Sequence, residues 1–488
     1  KKTALSLRVS SLYICDAGYS LSEAAIYTLE HHKHAGQTHR VLARDAQEQK
    51  AMHTFYASNA TELQEALQNA SAGDVVELAA GDYGRLYNNG SWAKYSGMVT
   101  IRSADSEDPA VFGEIEFRGV ENITLEGLNF AASSEYKGAL SFSHGSSNVG
   151  VKECDFRGGA VDDPGSVHHG YPEGTAVNFR DTNNITFESN TIEHYHIGMS
   201  VRDVDNAQIV NNEISEIRMD FTRFVAAKNI LIEGNHLHDS NASPDSTEHR
   251  DMIQFFSYGT DSASENVVIR GNFLNNGNGD WTQSIFVRNE AVDTQGAGPD
   301  MMYRNFVIED NVIHNSHVNG IWLSDVEGLA VRKNTLINNS TGNWAPTIQI
   351  KGGSNHIEVS NNIAPGVTIA GTVGADTVVQ NNITGFHGSF EDEIFVNPFS
   401  GGYATLEDLQ VRPGSIAEGH GSSLSVYDST HDELVLNIDG VVSRVFEHEV
   451  IELTTDWSRD ENGLLSDSNY TFGWQVIDEN GQVVMVDQ

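Results

Sequence analysis

The segment His249-Arg250-Asp251 sets an imidazole two residues from a carboxylate, and Asp220 precedes a similar run of residues earlier in the chain. An imidazole titrates near neutrality and is the commonest general base; a guanidinium grips a carboxylate or sulfate with a two-toothed fork. Together these types suit removal of a proton beside a carboxylate. His249 would take the proton, Asp251 would support it, and Arg223 or Arg288 would neutralise the neighbouring anion. A second chemistry is open, because Asp220 and Asp251 could serve as the two carboxyl groups of a glycoside hydrolase. Carboxylates stacked on each other repel, so one of this pair is expected to take up a proton, pair with Arg223 or Arg250, or bind a cation. Asp220 and Asp203 are the candidate ligands for Ca²⁺, since carboxylate oxygens at turns suit a hard cation. Solvated turn carboxylates are the plain alternative.

The elements that must position these groups are repeats. The unit Asn-Ile-x-Ile-x-x-Asn-x-Ile recurs as NITFESNTI, NILIEGNHL, NVVIRGNFL and NFVIEDNVI. Its seventh residue gives Asn190, Asn212, Asn235, Asn272, Asn311, Asn334, Asn362 and Asn382, spaced 20–28 residues apart except for two gaps of 37 and 39. Alternating apolar residues with an Asn every twenty-odd positions predict an all-β chain, a right-handed parallel β-helix of roughly ten coils. The Asn is expected at the corner, tolerating a left-handed backbone and bonding to the next coil. A leucine-rich solenoid would need a leucine spacing and a regular helix that the copies lack. ATELQEALQNA (60–70) predicts a helix capping one end, where a solenoid otherwise leaves its core open.

A second strand follows in each coil: AVNFRD, GMSVRD, FTRFVA, MIQFFS, SIFVRN, GIWLSD and TIQIKG. Their second and fourth residues are apolar, so alternation turns the third and fifth outward. Those outward places hold Arg180, Arg202, Arg223, Gln254, Phe286, Arg288, Trp322, Gln349 and Lys351. At about 4.8 Å per coil the stripe runs roughly 30 Å. It holds five of only 29 Lys+Arg in a chain of formal charge −39, where outward places should be mostly acidic. Arg for carboxylates, with Phe and Trp faces for stacking on sugar rings, implies an anionic polysaccharide as partner; Gln283, at the start of SIFVRN, joins the binding set. Long insertions on either side of this sheet, 238–250 and 291–304, would wall its middle into a cleft with His249, Asp251, Gln254 and Arg288 near the floor.

Composition bounds the rest. The charge would repel DNA, RNA and anionic membranes, so neither nucleic acid nor a membrane surface is an expected partner. Two cysteines, Cys15 and Cys154, exclude a disulfide framework and a multi-Cys zinc site. Residues 1–51 carry no assignable role beyond a helix expected from Ser22. Residues 52–419 read as the solenoid. Residues 420–488 hold fourteen acidic residues against two Arg and no Lys, and read as a small separate β domain.

The stretches FYASNATELQEALQNASAGDVVELAAGDYG and VTIRSADSEDPAVFGEIEFRGVENITLEGLNF resemble the opening of chondroitinase-B-like and alginate-lyase-like β-helix enzymes. The later coils, with HRDMIQFF and QSIFVRNE, are similar to secreted β-helix proteins related to mannuronan C5-epimerases. The resemblance spans residues 53–415. It implies a secreted, polysaccharide-active enzyme that abstracts the C5 proton of a uronate, as a lyase or a C5-epimerase. A hydrolase or a tailspike-like adhesin on the same scaffold is the alternative. The chain departs from the lyase pattern in having Gln254 and no Lys at the place of the catalytic Lys, with Arg288 at the Arg place. It also lacks the epimerase-type Asp-Pro-His-Glu motif, which His249-Arg250-Asp251 only approaches. The paired Asp-Asp and the Arg-Ile-Lys strand of galacturonase-type hydrolases are absent too.

Overall fold

The computed structural model describes residues 52–131, 138–339, 344–386, 391–399 and 404–425, with the strand backbones of 436–438, 441–443, 474–477 and 483–487. The helix expected near Ser22 lies outside the described residues. Among them no helix is long and apolar enough to cross a membrane.

Parallel strands dominate, and each coil contributes to three ladders. One runs from Arg85–Asn88 to Val367–Ile369, and a second from Thr54–Ala57 to Val378–Gln380. The long strands Thr175–Glu188, Ile197–Val210 and Thr222–Glu233 bend round the corner and belong to both. The third ladder is a separate ten-stranded sheet, which agrees with the coil count read from the repeats. Inward Phe, Ile, Val and Leu of successive coils stack into one continuous core, as the period-two pattern demands; the Phe224 and Phe255 rings lie 4.6 Å apart.

The repeating Asn does its work differently from the expectation. Asn190, Asn212, Asn235, Asn272, Asn311, Asn334 and Asn362 are buried. From Asn190 to Asn334 each donates its Nδ2 to the Oδ1 of the next at 2.9–3.0 Å. The same Oδ1 also takes the backbone N–H of the preceding Asn. The left-handed residue is the one before it: Ser189, Asn211, Gly234, Gly271, Asp310 and Lys333 have φ between 52° and 65°. The first Asn of the motif is also left-handed, with φ of 55–63° at Asn184, Asn206, Asn229, Asn266 and Asn305. These form a second, outer amide ladder in two runs, Asn206 to Asn184 at 2.9 Å and Asn305 to Asn266 to Asn229 at 2.8–2.9 Å, with Asn229 turning to Asp205 where the runs meet. The two Asn of the motif therefore divide the roles that the sequence assigned to one.

The helix Ala60–Asn69 buries Leu63, Ala66 and Leu67, and Asn59 caps it by accepting from the amides of Thr61 and Glu62. Toward the other end, Phe386, Ile394, Phe395, Leu409, Val411 and Ala417 fold back over Phe273, Val312, Ile337 and Ile363 of the third ladder. Chain bonded to the solenoid continues past the expected boundary at 419, since the Ser422 N–H donates to Thr335 Oγ1 and the Ser423 N–H to Asp310 Oδ1. Beyond it, Leu436–Ile438 pairs with Val441–Ser443 and Trp474–Ile477 with Val483–Asp487, both antiparallel.

Candidate active site

The ladder register places the outward residues of successive coils in one column: Asn178, Ser200, Arg223, Gln254, Phe286, Trp322 and Gln349. The neighbouring column carries Arg180 and Arg202, then Val225, and farther along Arg288 and Lys351. A third column begins each strand, where Asp251 stands level with Gln283. Asp220 precedes Asp251 in that column, since Thr222 pairs with Ile253, and Asn319 follows Gln283, since Ile285 pairs with Ile321.

His249 enters from the insertion before the strand Asp251–Phe255. Glu248 anchors that insertion: its carboxylate takes His196 Nε2 at 2.9 Å and the Arg218 guanidinium at 3.2 Å, and Arg218 donates in turn to the Pro172 carbonyl at 2.7 Å. Arg250, on the other side, is buried with its guanidinium 4.4 Å over the Trp281 ring. The loop is thus pinned on both sides of His249. The His249 side chain is 49% exposed, while Asp251, 2.8 Å from its Nδ1, is fully buried. Gln254 Nε2 donates to the same Asp251 oxygen at 2.7 Å. The Phe286 ring lies edge-on to the imidazole at 5.0 Å and stacks on Trp322 at 4.7 Å.

The other imidazole nitrogen ends a chain of amides whose polarity can be read from its far end. Gln349 Nε2 is surrounded by the Val318 carbonyl at 3.2 Å, Asn319 Oδ1 at 3.0 Å and Thr347 Oγ1 at 3.2 Å. The Thr347 hydroxyl already donates to that carbonyl at 2.8 Å, so it too can only accept. The Val318 carbonyl and the Thr347 hydroxyl can only accept there, so the Gln349 amide presents its NH₂ to them and to Asn319. Asn319 consequently donates its Nδ2 to Gln283 Oε1. Gln283 Nε2, 2.6 Å from His249 Nε2, must then donate to it. His249 therefore carries its proton on Nδ1, toward Asp251, and holds a lone pair on Nε2. That is the tautomer of a general base. Asp251 raises the His249 pKa through its hydrogen bond to the ring and its charge; burial and Arg288 oppose it.

Asp220 and Asp251 do stack, and both are buried. Burial raises both pKa values, and at Asp220 the Asp251 charge adds to the shift, so the pair retains a proton to higher pH than ordinary carboxylates do. Among the described residues neither Asp220 oxygen has a hydrogen-bond partner, nor does Asp251 Oδ1. Of the outcomes expected for this pair, proton uptake fits. Asp203 stands apart, exposed and left-handed at the bend midway along Ile197–Val210, whereas Asp220 is level with that strand's start, so the two cannot share a cation.

Arg223 is half-buried, touches Ser200 Oγ at 3.3 Å and makes no ion pair among the described residues. Arg288 was expected free on the cleft floor; instead its guanidinium is tied to Asp293 of the short helix Glu290–Asp293, at 2.7 Å. Arg202 donates to the carbonyls of Tyr258 and Gly259. Arg180 is exposed, one coil before Arg202 in its column. Asn319 and Trp281 escaped the sequence reading. Asn319 was visible as the residue two places before a core Ile in GIWLSD, in the column of Asp251 and Gln283. Trp281 lies in an insertion, where no periodicity points to it.

A family model described as right handed beta helix region matches residues 86–251 and 142–383, overlapping spans that cover more than half of the chain. No curated protein matches. Among solved structures, the A-module of a mannuronan C-5 epimerase from Azotobacter vinelandii is 13% identical, covering 69% of this chain and 97% of that one, with a TM-score of 0.46. An alginate lyase from Paenibacillus sp. is 14% identical over 66% of this chain and 99% of that one, TM-score 0.39. A surface adhesin of Streptococcus pneumoniae is 13% identical over 64% and 79%, TM-score 0.39. The stacked parallel ladders and the span of the family match lead to one conclusion: this chain belongs to the right-handed β-helix family.

Proposed function

We propose that this protein is an enzyme acting on an anionic, uronate-containing polysaccharide by abstraction of the C5 proton, a lyase in the first instance. The observation that carries the reading is the His249 tautomer: an unprotonated Nε2 on a half-exposed ring, backed by buried Asp251, inside a stripe of cations and aromatic faces. The sugar ring stacks on Trp322, which the buried Phe286 ring backs. Arg223, one coil away and without an ion pair, offsets the uronate carboxylate as negative charge builds on it. The substrate replaces the Gln283 amide at Nε2, a neutral hydrogen bond whose net worth is about 1 kcal/mol. His249 takes the C5 proton, and Asp251 stabilises the imidazolium that forms. Loss of the C4 oxygen, which takes a proton from the His249 imidazolium or from water, then completes an elimination; protonation of C5 by water from the other face would make an epimerase instead. The hydrolase alternative is weakened by burial, because Asp220 and Asp251 are out of reach of a glycosidic oxygen.

Incubation with alginate, pectate and chondroitin, read by ultraviolet absorbance of the unsaturated uronate and by NMR of the sugar, tests this. One of them is expected to give the conjugated product, and His249→Ala to lose about 10²–10⁴-fold in turnover. Inverted uronates without absorbance would make the enzyme an epimerase. Reducing ends without either product, or binding alone, would overturn the reading.

A further inference from the structure

Away from the cleft, on the outer face of the third ladder, three residues meet for which the proposed reaction has no use. Glu213 pairs with His236 across neighbouring strands, and His238 follows two residues later on the same face. One ligand atom from each of Glu213, His236 and His238 lies within 4.8 Å of the others. We propose that they form a binding site for a zinc-type divalent ion, with His236 and His238 as nitrogen ligands and Glu213 as the carboxylate ligand.

Four observations build it. His238 Nε2 and Glu213 Oε1 are 3.1 Å apart, close to the roughly 3.3 Å that separates two ligands held at about 2.05 Å in a tetrahedron. The other nitrogen of His238 faces Asp239 Oδ2 at 2.7 Å, the carboxylate–histidine arrangement that orients a ligating imidazole and fixes which nitrogen meets the metal. Asp239 is itself held, since its second oxygen takes the Asn278 N–H at 3.2 Å. The His236 ring is clamped, parallel to Phe273 at 4.9 Å and stacked on His238 at 4.3 Å, and its Nε2 is buried with no hydrogen-bond partner among the described residues. Two imidazoles and a carboxylate suit zinc and its neighbours in the first transition row rather than Ca²⁺.

The place has a consequence. His238 ends its strand and Asp239 opens the insertion that carries His249 to the cleft. An ion bound here would tie the root of that insertion to the solenoid.

The test uses the full chain without a polyhistidine tag, freed of metal by chelator. Titration with Zn²⁺ by calorimetry is expected to show one tight equivalent, with a rise in Tm that saturates at that equivalent. His236→Ala and His238→Ala should each abolish it, and Glu213→Gln should weaken it about tenfold. Loading wild-type protein with Co²⁺ needs no variant, and an intense tetrahedral ligand-field spectrum is expected. An aqueous, octahedral Co²⁺ spectrum would overturn the site. So would zinc uptake by wild type no greater than that of the His236→Ala/His238→Ala double variant.

Discussion

The direction in which an amide points decides whether His249 can be a base. Gln349 is three hydrogen bonds removed from the imidazole along the amide chain, yet its anchoring by the Val318 carbonyl and the Thr347 hydroxyl sets every donor between. Gln349→Glu cannot donate to Val318 or Asn319, so Asn319 and Gln283 should flip and present an oxygen to His249 Nε2. We expect ¹⁵N NMR of labelled histidine to show His249 Nε2 changing from acceptor to protonated donor. The acid limb of the pH–rate profile should move to higher pH, with turnover reduced. An unchanged Nε2 resonance would remove Gln349 from the argument. In wild type the limb should already lie above the ordinary histidine value of about 6.5, because the Asp251 hydrogen bond and charge favour the imidazolium more than burial and Arg288 oppose it. The Asp220 carboxyl has the opposite linkage sign from a salt-bridged aspartate. Its folded pKa is raised, so its contribution to stability is full below the ordinary aspartate range and declines as pH rises above it. Asp220→Asn should therefore raise Tm more at pH 8 than at pH 5, and an equal shift at both would show that burial does not penalise the charge.

Among elements, the buried Asn ladder is the most exacting. Asn272 is buried, donates to Asn311 and to the carbonyls of Ile232 and Arg270, and accepts the Asn235 N–H and amide. Asn272→Ala would orphan several of these groups at once, each costing about 1–3 kcal/mol. A loss of about 3–5 kcal/mol in denaturant-measured stability is expected. Asn272→Asp should fail similarly, because a carboxylate cannot donate to the carbonyls. A loss below about 1 kcal/mol would mean that water or a shifted turn replaces the ladder.

Over the whole molecule, the contrast between the net charge of −39 and the cationic stripe is the largest electrostatic feature. A polyanion should be repelled everywhere except along that face, so its binding should weaken as salt rises. Arg202→Ala and Lys351→Ala, toward the ends of the stripe, are expected to raise KM severalfold with turnover nearly unchanged and to flatten the salt dependence. A fall in turnover with KM unchanged would place them in the chemistry instead.

The coils, the capping helix and the outward columns were legible in the sequence, because strand alternation and an Asn every coil are one-dimensional signals. A one-residue slip would have buried Arg223 and exposed Phe224, so the core fixes the register that aligns Arg223 with Gln254, Phe286 and Trp322. What only the tertiary structure decided is the state of each group in that frame. Asp251 and Asp220 are sealed from solvent, Arg288 is neutralised by Asp293, and the His249 proton is placed by a residue a hundred positions away. Periodicity fixes which face a side chain takes. Insertions follow no period, and hydrogen-bond polarity depends on which acceptors three-dimensional packing gathers around one amide.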